Sequence, residues 1–600
     1  MVRNGLPFVL MFLSGFAGLG YEIIWTRMLS ASLDHEIIAV LAVVAAFFSG
    51  LAIGSWALDR PLSVAEKPGR WYAGLEFVIG LWALVLSFAF PWANHLALGW
   101  VGIDPGPGRH WVVAFLFPFI MLLPATFAMG GTLPAMERLL SRLYRDGGTV
   151  GGLYAANTFG AVAGTLAATF WITPALGFKS TQLILAGVNF ICAGGMLAGA
   201  VRDPESPPRV VFWGPDRPES LRIHVSLFAT GLLGIGYEVL AVRALSQILE
   251  NTVYSFTGIL AVYLFGTALG GSVYQLWSPK LSFRAVTGYL AQGLSIACIA
   301  GLGLLLLVEY IYSGIREWLG QGMAMAGAMG GEICAAAVVL LLPTILMGMT
   351  FSHLAQSACG KKGGLGRALS VNTVGAAGAP FLFGVVVLPA IGLKTALVLV
   401  VVGYLFLIPM PAPRMQWMTS LVPAGLCGIL IFSPVPIPFV TPPPGGQVVK
   451  HLEGVMAAVS VVSDARRHIH LKVNNHYQMG GTSSVYSDRR QAHIPLLLHP
   501  EPQKALFLGL GTGVTFAAAA DYPGLEAVAV ELVPEVIDVI HYFEPVTGKL
   551  RENPRLDIKT ADARRFVSTD RNTYDVIVAD LFTRPGTAPA TSTLSSTFRP

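Results

Sequence analysis

Two patterns of apolar and polar positions divide the chain. Up to about residue 433, long apolar runs alternate with short polar stretches, and a run of about 20 mostly apolar residues is long enough for a helix to cross hydrocarbon. Six such runs occupy roughly 6–29, 36–58, 71–92, 111–136, 152–173 and 179–201. A stretch rich in Pro and Arg follows, Arg202 to Arg222. Six more runs occupy roughly 223–248, 253–277, 286–311, 329–355, 366–388 and 393–410. A thirteenth apolar stretch, about 416–433, leads into the Pro-rich segment Pro434 to Gly446.

The two sets of six repeat each other. Gly20-Tyr-Glu22 returns as Gly236-Tyr-Glu238, Arg27 as Arg243, and Gly50 and Gly54 as Gly266 and Gly270, all at an offset of 216 residues. Asn157-Thr158-x-Gly160 returns as Asn372-Thr373-x-Gly375, and Pro174-Ala-Leu-Gly177 as Pro389-Ala-Ile-Gly392, at an offset of 215. Matches at constant spacing mark a duplication, and an even number of spans per unit makes the two copies parallel, as in many transporters. The repeat also decides the reading of residues 1–32, which carry Arg3, an apolar run and small residues like a signal peptide. The same segment recurs inside the chain, so it is read as a retained transmembrane helix.

Basic residues gather in alternate loops: Arg60, Lys67 and Arg70; Arg138, Arg142 and Arg145; the linker arginines; Lys280 and Arg284; Lys361, Lys362 and Arg367. The bias of Lys and Arg toward the cytoplasm puts these loops and the N-terminus inside. The side on which the C-terminal part lies depends on whether 416–433 spans, and the sequence leaves that open. Within the spans, Glu22 with Arg27 and Glu238 with Arg243 admit two readings: functional intramembrane charges, or ion pairs that anchor helix ends. Asn157 and Asn372, on helices rich in Gly and Ala, read as interhelical hydrogen-bonding groups.

From Glu453 onward the runs shorten. Val459 to Val462 and His468 to Val473 read as strands with a turn at Asn474-Asn475, and a second small unit follows through Gly480-Gly481. A buried strand at Lys504 to Leu508 then opens into Gly509-Leu-Gly511-Thr-Gly513 and a helix of small residues, 514–520. Strands follow at 527–530, ending in Glu531, at 556–559, leading to Asp562, and at 575–579, ending in Asp580; a helix at 534–543 separates the first two of these. This alternation predicts a parallel, doubly wound sheet with ligands above the carboxyl ends of its strands. Glycines there let the backbone turn sharply and approach a ligand, and an acid about 20 residues later accepts hydrogen bonds from ribose hydroxyls. The strict Gly-x-Gly-x-x-Gly spacing is absent, since residue 514 is Val, and acids after three successive strands favour an S-adenosyl ligand.

Composition sharpens this division. Of 600 residues, 54% are hydrophobic and 12% charged, about half the charge of a typical soluble protein. After Pro444 about 20% of residues are charged, 16 acidic and 16 basic; before it about 9% are. The net charge of +5 is small for the length, and no nucleic-acid partner is expected. The five cysteines are scattered through the first part and form neither a disulfide framework nor a metal site. The expected architecture is thus a multi-pass α-helical membrane domain of two parallel six-helix repeats (1–201 and 223–410) joined by a polar linker (202–222). A further apolar stretch and linker (411–446), a small β unit (447–500) and a Rossmann-like S-adenosyl-binding domain (501–600) complete it.

The chain resembles the spermidine synthase (polyamine aminopropyltransferase) family, in its membrane-fused, multi-pass branch. The likeness is carried by Ser14-Gly-Phe-Ala-Gly-Leu-Gly-Tyr-Glu22, Tyr154-Ala-Ala-Asn-Thr158, Leu471-Lys-Val-Asn-Asn475, His493-Ile-Pro-Leu-Leu-Leu-His-Pro500, the glycine turn and Tyr574-Asp-Val-Ile-Val-Ala-Asp580. It implies decarboxylated S-adenosylmethionine as co-substrate, a putrescine-like amine as acceptor, and no metal. It implies that Gly509, Gly511, Gly513, Glu531, Asp562 and Ala563 hold the nucleoside, with Glu531 on the ribose and Asp562 and Ala563 at the adenine. The resemblance further implies that Asp580 takes a proton from the attacking amine, and that Gln478, Tyr477 and His493 lie at the substrate.

Three features depart from the soluble family. Thr512 stands inside the glycine turn where those enzymes have Asp. Leu581-Phe-Thr-Arg584-Pro585 follows Asp580 where they carry a second Asp. The sheet, read to Pro600, lacks roughly three further strands, so the fold is expected to be incomplete at its C-terminal end. Two other functions stay open beside aminopropyl transfer: a transporter or sensor whose soluble domain binds a nucleoside or polyamine without turnover, and an S-adenosylmethionine-dependent methyltransferase. The expected location is the cell membrane; the oligomeric state is not legible.

Overall fold

The computed structural model describes residues 2–30, 36–101, 107–143, 150–198, 217–249, 252–277, 281–319, 324–359, 365–409, 414–432, 440–475 and 477–579. They form two compact units. The first is Met1–Thr441 with Leu452–Ala458 and Asn474–Tyr477; the second is Pro442–His451, Val459–Val473 and Gln478–Pro600. Asp580, Arg584 and the tail from Pro585 lie outside the described residues, as do most of the linker after Val201 and the loop lysines Lys280, Lys361 and Lys362.

The first unit is helical. Helices α1 (Val2–Ser30), α2 (Glu36–Val64), α3 (Pro68–Val101), α4 (Pro107–Leu143), α5 (Val150–Ala167) and α6 (Thr173–Leu197) are followed by α7 (Arg217–Leu245), α8 (Val253–Leu276), α9 (Phe283–Leu305), α10 (Val308–Leu319), α11 (Ala324–Cys359), α12 (Leu365–Ala379), α13 (Leu388–Leu405) and α14 (Arg414–Phe432). Ten helical stretches among the described residues are long and apolar enough to cross a membrane. Two of these, Val150–Leu197 and Leu365–Leu405, contain a break. In each, α-helix gives way to a π-helical segment (Ala168–Ile172, Pro380–Val387) and then to a glycine with non-helical angles, Gly177 (φ 78, ψ 169) and Gly392 (φ 74, ψ 165). Such angles are open essentially to glycine alone. Helix α10 was not legible as a separate element: the ninth apolar run reads on to about 311, whereas α9 ends at Leu305 and a short helix continues from Val308.

Packing follows one pattern in both halves. Helix α1 packs on α5 as α7 packs on α12; α2 packs on α4 as α8 packs on α11; and α2 meets α12 as α8 meets α5. The repeated glycines lie at these crossings. A Cβ on Gly15 would fall on the carbonyl of Asn157, and one on Gly231 on the carbonyl of Asn372; Gly50 and Gly266 are filled in the same way by Thr126 and Thr344. Small residues let helix backbones touch where apolar side chains alone give no preference over lipid. Helix α1 belongs to this core, with Met11, Tyr21, Ile24 and Trp25 fully buried. The last turns of α4 meet the end of α2 and the loop after it: Arg138 donates to the carbonyl of Ser63, and Arg142 to those of Ala65 and Glu66.

The expected ion pairs within α1 and α7 do not form. Residues 22 and 27 are five apart, which turns their side chains about 140° from each other on a helix. The same holds for 238 and 243. Arg243 instead faces Glu453 at 3.7 Å, the carbonyls of Gly454 and Met456, and Asn474 Oδ1, all within the first unit.

In the C-terminal part, a four-stranded sheet runs in the order β1 (Gln447–Glu453), β2 (Ala458–Ser463), β3 (Ile469–Val473), β4 (Tyr477–Gly481). Strands β2 and β3 pair antiparallel, Val461 opposite Leu471. The sequence pattern had exposed only the middle two, because β1 and β4 carry mixed residues. Helix α15 (Val485–Leu498) leads to a second sheet: β5 (Lys504–Leu508), β6 (Glu526–Glu531), β7 (Leu556–Thr560) and β8 (Val576–Ala579), all parallel in the order β7-β6-β5-β8. Its core holds Phe507, Phe516, Leu525, Ala527 and Ala529. Strand order reverses at β5, so the turn after β5 stands at the topological switch point where ligands bind in open α/β sheets.

Candidate functional site

The switch point is built from the glycine turn. Gly509, Gly511 and Gly513 all have positive φ (103, 53 and 77). Glu531, at the end of β6, ties this turn down. Its buried carboxylate accepts from the N–H of Leu510 (3.0 Å) and Gly511 (3.3 Å) on one oxygen and from Val533 N–H (2.9 Å) on the other. It thereby positions the turn, and one lone pair on Oε1 is left for a ligand hydroxyl.

Asp562, after β7, caps helix α16 (Ala563–Thr569). Its Oδ1 accepts from the N–H groups of Arg564 (2.8 Å) and Arg565 (3.1 Å), and its Oδ2 faces the Arg564 guanidinium at 3.2 Å. Ala563 is the first residue of that helix. The capping role explains Asp562 locally, and both its oxygens are engaged. Strand β8 ends at Ala579, paired with Leu508 beside the turn.

Strand β4 covers the turn from the smaller sheet. A Cβ on Gly511 would stand 3.2 Å from the carbonyl of Met479. At Gly480 (φ 90) a Cβ would stand 3.0 Å from Asp488 Oδ2 and 3.2 Å from Thr512 Oγ1. Tyr477 is the first residue of this strand. Gln478 is next, and its Nε2 lies 3.0 Å from His470 Nδ1; the His470 Nε2 lies 3.5 Å from Asp464 Oδ2. Partial desolvation pushes the Asp464 carboxyl up, but donors from the His468 backbone and ring, the His470 ring and the Arg466 N–H outweigh it and hold it at about 2.

His493 lies elsewhere. Its Nδ1 is 3.0 Å from Tyr522 Oη and its Nε2 3.6 Å from Asp521 Oδ2. Those partners precede β6, at the amino ends of the strands, opposite the glycine turn. Helix α15 begins near the turn and runs down to the other end of the sheet, so its first residues, and not His493, are near the candidate site. The residue the sequence pattern missed is therefore Asp488, in the first turn of α15. It accepts from Ser484 Oγ at 2.7 Å, and its carbonyl accepts from Thr515 Oγ1 at 3.1 Å. No motif marks it; only the packing of β4 on the turn reveals it. Among the described residues no group of three or more His, Cys, Asp or Glu could hold a metal ion.

The arrangement offers a backbone cradle, carboxylates beside it and a covering strand. It suits a nucleoside with hydroxyls to be bonded and a cationic partner. A model of the Spermine/spermidine synthase domain matches residues 486–598. A polyamine aminopropyltransferase of Leptospira interrogans is 22% identical over 380 residues, covering 60% of this chain and 72% of its own. That span exceeds the residues after Gly446, so the likeness runs into the helical part. Polyamine aminopropyltransferase 2 of Streptomyces coelicolor is 28% identical over 194 residues, 32% of this chain and 33% of its own. A spermidine synthase structure from Thermotoga maritima aligns with a TM-score of 0.21 at 21% identity, over 22% of this chain and 47% of that one. The chain thus spans about a third of the Streptomyces relative and under half of the solved one. Residues 486–598 thus match the Spermine/spermidine synthase domain, on a chain similar in sequence to polyamine aminopropyltransferases.

Proposed function

We propose that this protein is a membrane-embedded aminopropyltransferase, moving an aminopropyl group from decarboxylated S-adenosylmethionine to an amine. The observation that carries the reading is the glycine turn, which lies within the residues that match the synthase domain, is anchored by Glu531 and is roofed by β4. In the reaction the neutral amine nitrogen attacks the aminopropyl carbon bonded to sulfur. The carbon–sulfur bond breaks, its electron pair stays on sulfur, and methylthioadenosine leaves without charge. The amine must lose a proton, and the reading gives that task to Asp580, the acid that follows β8 in the sequence.

Glu531 orients the turn and takes a ribose hydroxyl; Asp562 stiffens the start of α16 at the edge of the nucleoside site. Thr512 leaves the turn uncharged, and Asp488, beside it, supplies the carboxylate that a cationic acceptor requires. Gln478 is held by His470 and Asp464, which leaves its carbonyl oxygen to accept from the amine. The chain is read as a multi-pass membrane protein of two parallel repeats with its N-terminus in the cytoplasm. The matched packing of the two halves and the meeting of two basic loops support this.

The test is titration calorimetry of the detergent-purified chain with decarboxylated S-adenosylmethionine and with methylthioadenosine, followed by turnover with a panel of amines. Absence of binding to both nucleosides rejects the reading. Turnover only with ordinary S-adenosylmethionine would select methyl transfer instead.

A further inference from the structure

The helical unit encloses a cavity of about 270 Å³ where its two halves meet. Its wall takes residues from both repeats at matching positions: Glu22 and Glu238, Asn157 and Asn372, Phe47 and Tyr263. A second cavity of about 120 Å³ adjoins, and Glu22 and Glu238 line both. The two carboxylates therefore stand at the neck between the two spaces.

Glu22 is 7% exposed, and neither carboxylate has a hydrogen bond or an opposite charge among the described residues. Arg243, one turn along α7 from Glu238, is taken up by Glu453 and nearby carbonyls. A carboxylate buried in an apolar helical core is costly unless something neutralises it. Here Glu22 is buried and Glu238 half-buried, the two related by the repeat and lining one space. The lining also narrows the chemistry of what would neutralise them. Hard inorganic cations take six or more oxygen ligands, or keep their waters. This wall has two carboxylates, amides and hydroxyls, but is otherwise aliphatic and aromatic. Tyr263 and Tyr404 line the larger cavity, and aromatic rings attract alkylammonium groups.

We propose that this cavity is a binding site for an aliphatic amine cation, with Glu22 and Glu238 taking its charged ends and the apolar wall its methylene chain. The site lies wholly within the first unit and does not rest on the transferase reading.

The test measures equilibrium binding of radiolabelled 1,4-diaminobutane to the detergent-purified full chain. Comparison is made with the Glu22→Gln/Glu238→Gln variant and with Asp580→Asn. The expected result is a saturable component that falls at least tenfold in the double variant, survives in Asp580→Asn, and is not displaced by 1,4-butanediol. A second measurement needs no variant. Dicyclohexylcarbodiimide labelling of Glu22 and Glu238, read by peptide mass spectrometry, should be suppressed by the diamine and not by the diol. Unchanged binding in a monodisperse double variant, no saturable binding of mono- or diamines, or labelling unaffected by amine would each overturn the proposal. Loss of nucleoside binding alone would count against the transferase and leave this site standing.

Discussion

At Glu531 one carboxylate accepts three backbone N–H groups and fixes the turn that would hold a nucleoside. Gln in its place turns an acceptor into a donor facing N–H groups, and each buried donor left without a partner costs about 1–3 kcal/mol. Glu531→Gln is expected to weaken decarboxylated S-adenosylmethionine at least tenfold by calorimetry and to lower the melting temperature. Asp488→Asn should raise the KM for the amine about tenfold while kcat stays within twofold; an unchanged KM removes Asp488 from the acceptor site. Asp464 gives a pH signature. Its folded value of about 2 lies below the ordinary 3.8. Its contribution to stability is therefore full above the ordinary value and is lost as pH falls through about 2. Melting temperatures of the wild type should drop across that window more steeply than those of Asp464→Asn.

Among the elements, the paired breaks in the helical unit separate conformation from packing. A Cβ on Gly177 would meet nothing within 4 Å, and the same is true of Gly187 in the same helix. Only Gly177 has positive φ. Gly177→Ala should therefore destabilise the detergent-solubilised protein by about 1–3 kcal/mol. Gly187→Ala should be neutral or slightly stabilising, because alanine favours a helix interior. Equal melting temperatures for the two variants would show that the kink carries no strain for alanine.

On the scale of the whole molecule, the basic loops and the contacts between them make a topological prediction. Ser63 is exposed, and its carbonyl is held by Arg138. A Ser63→Cys variant in a background without other reactive thiols should react with an impermeant maleimide in inverted membrane vesicles and not in intact cells. Labelling in intact cells would reverse the orientation derived from the Lys and Arg bias.

What the sequence determined by itself was whatever depends on local pattern. Twenty-residue apolar runs, the 216-residue offset, the four strands of the parallel sheet and the glycines with the acids after each strand are all periodicities or short motifs. Strands β1 and β4 and helix α10 escaped because their residues are mixed and their burial comes from neighbours far along the chain. The tertiary structure alone decided the rest. It turned Arg243 away from Glu238, since a separation of five residues divides them on a helix. It moved His493 to the far end of the sheet and brought Asp488 to the near one, since α15 runs antiparallel to the strands. It also brought Glu22 and Glu238, 216 residues apart, to one cavity, because only the packing of one repeat on the other makes them neighbours.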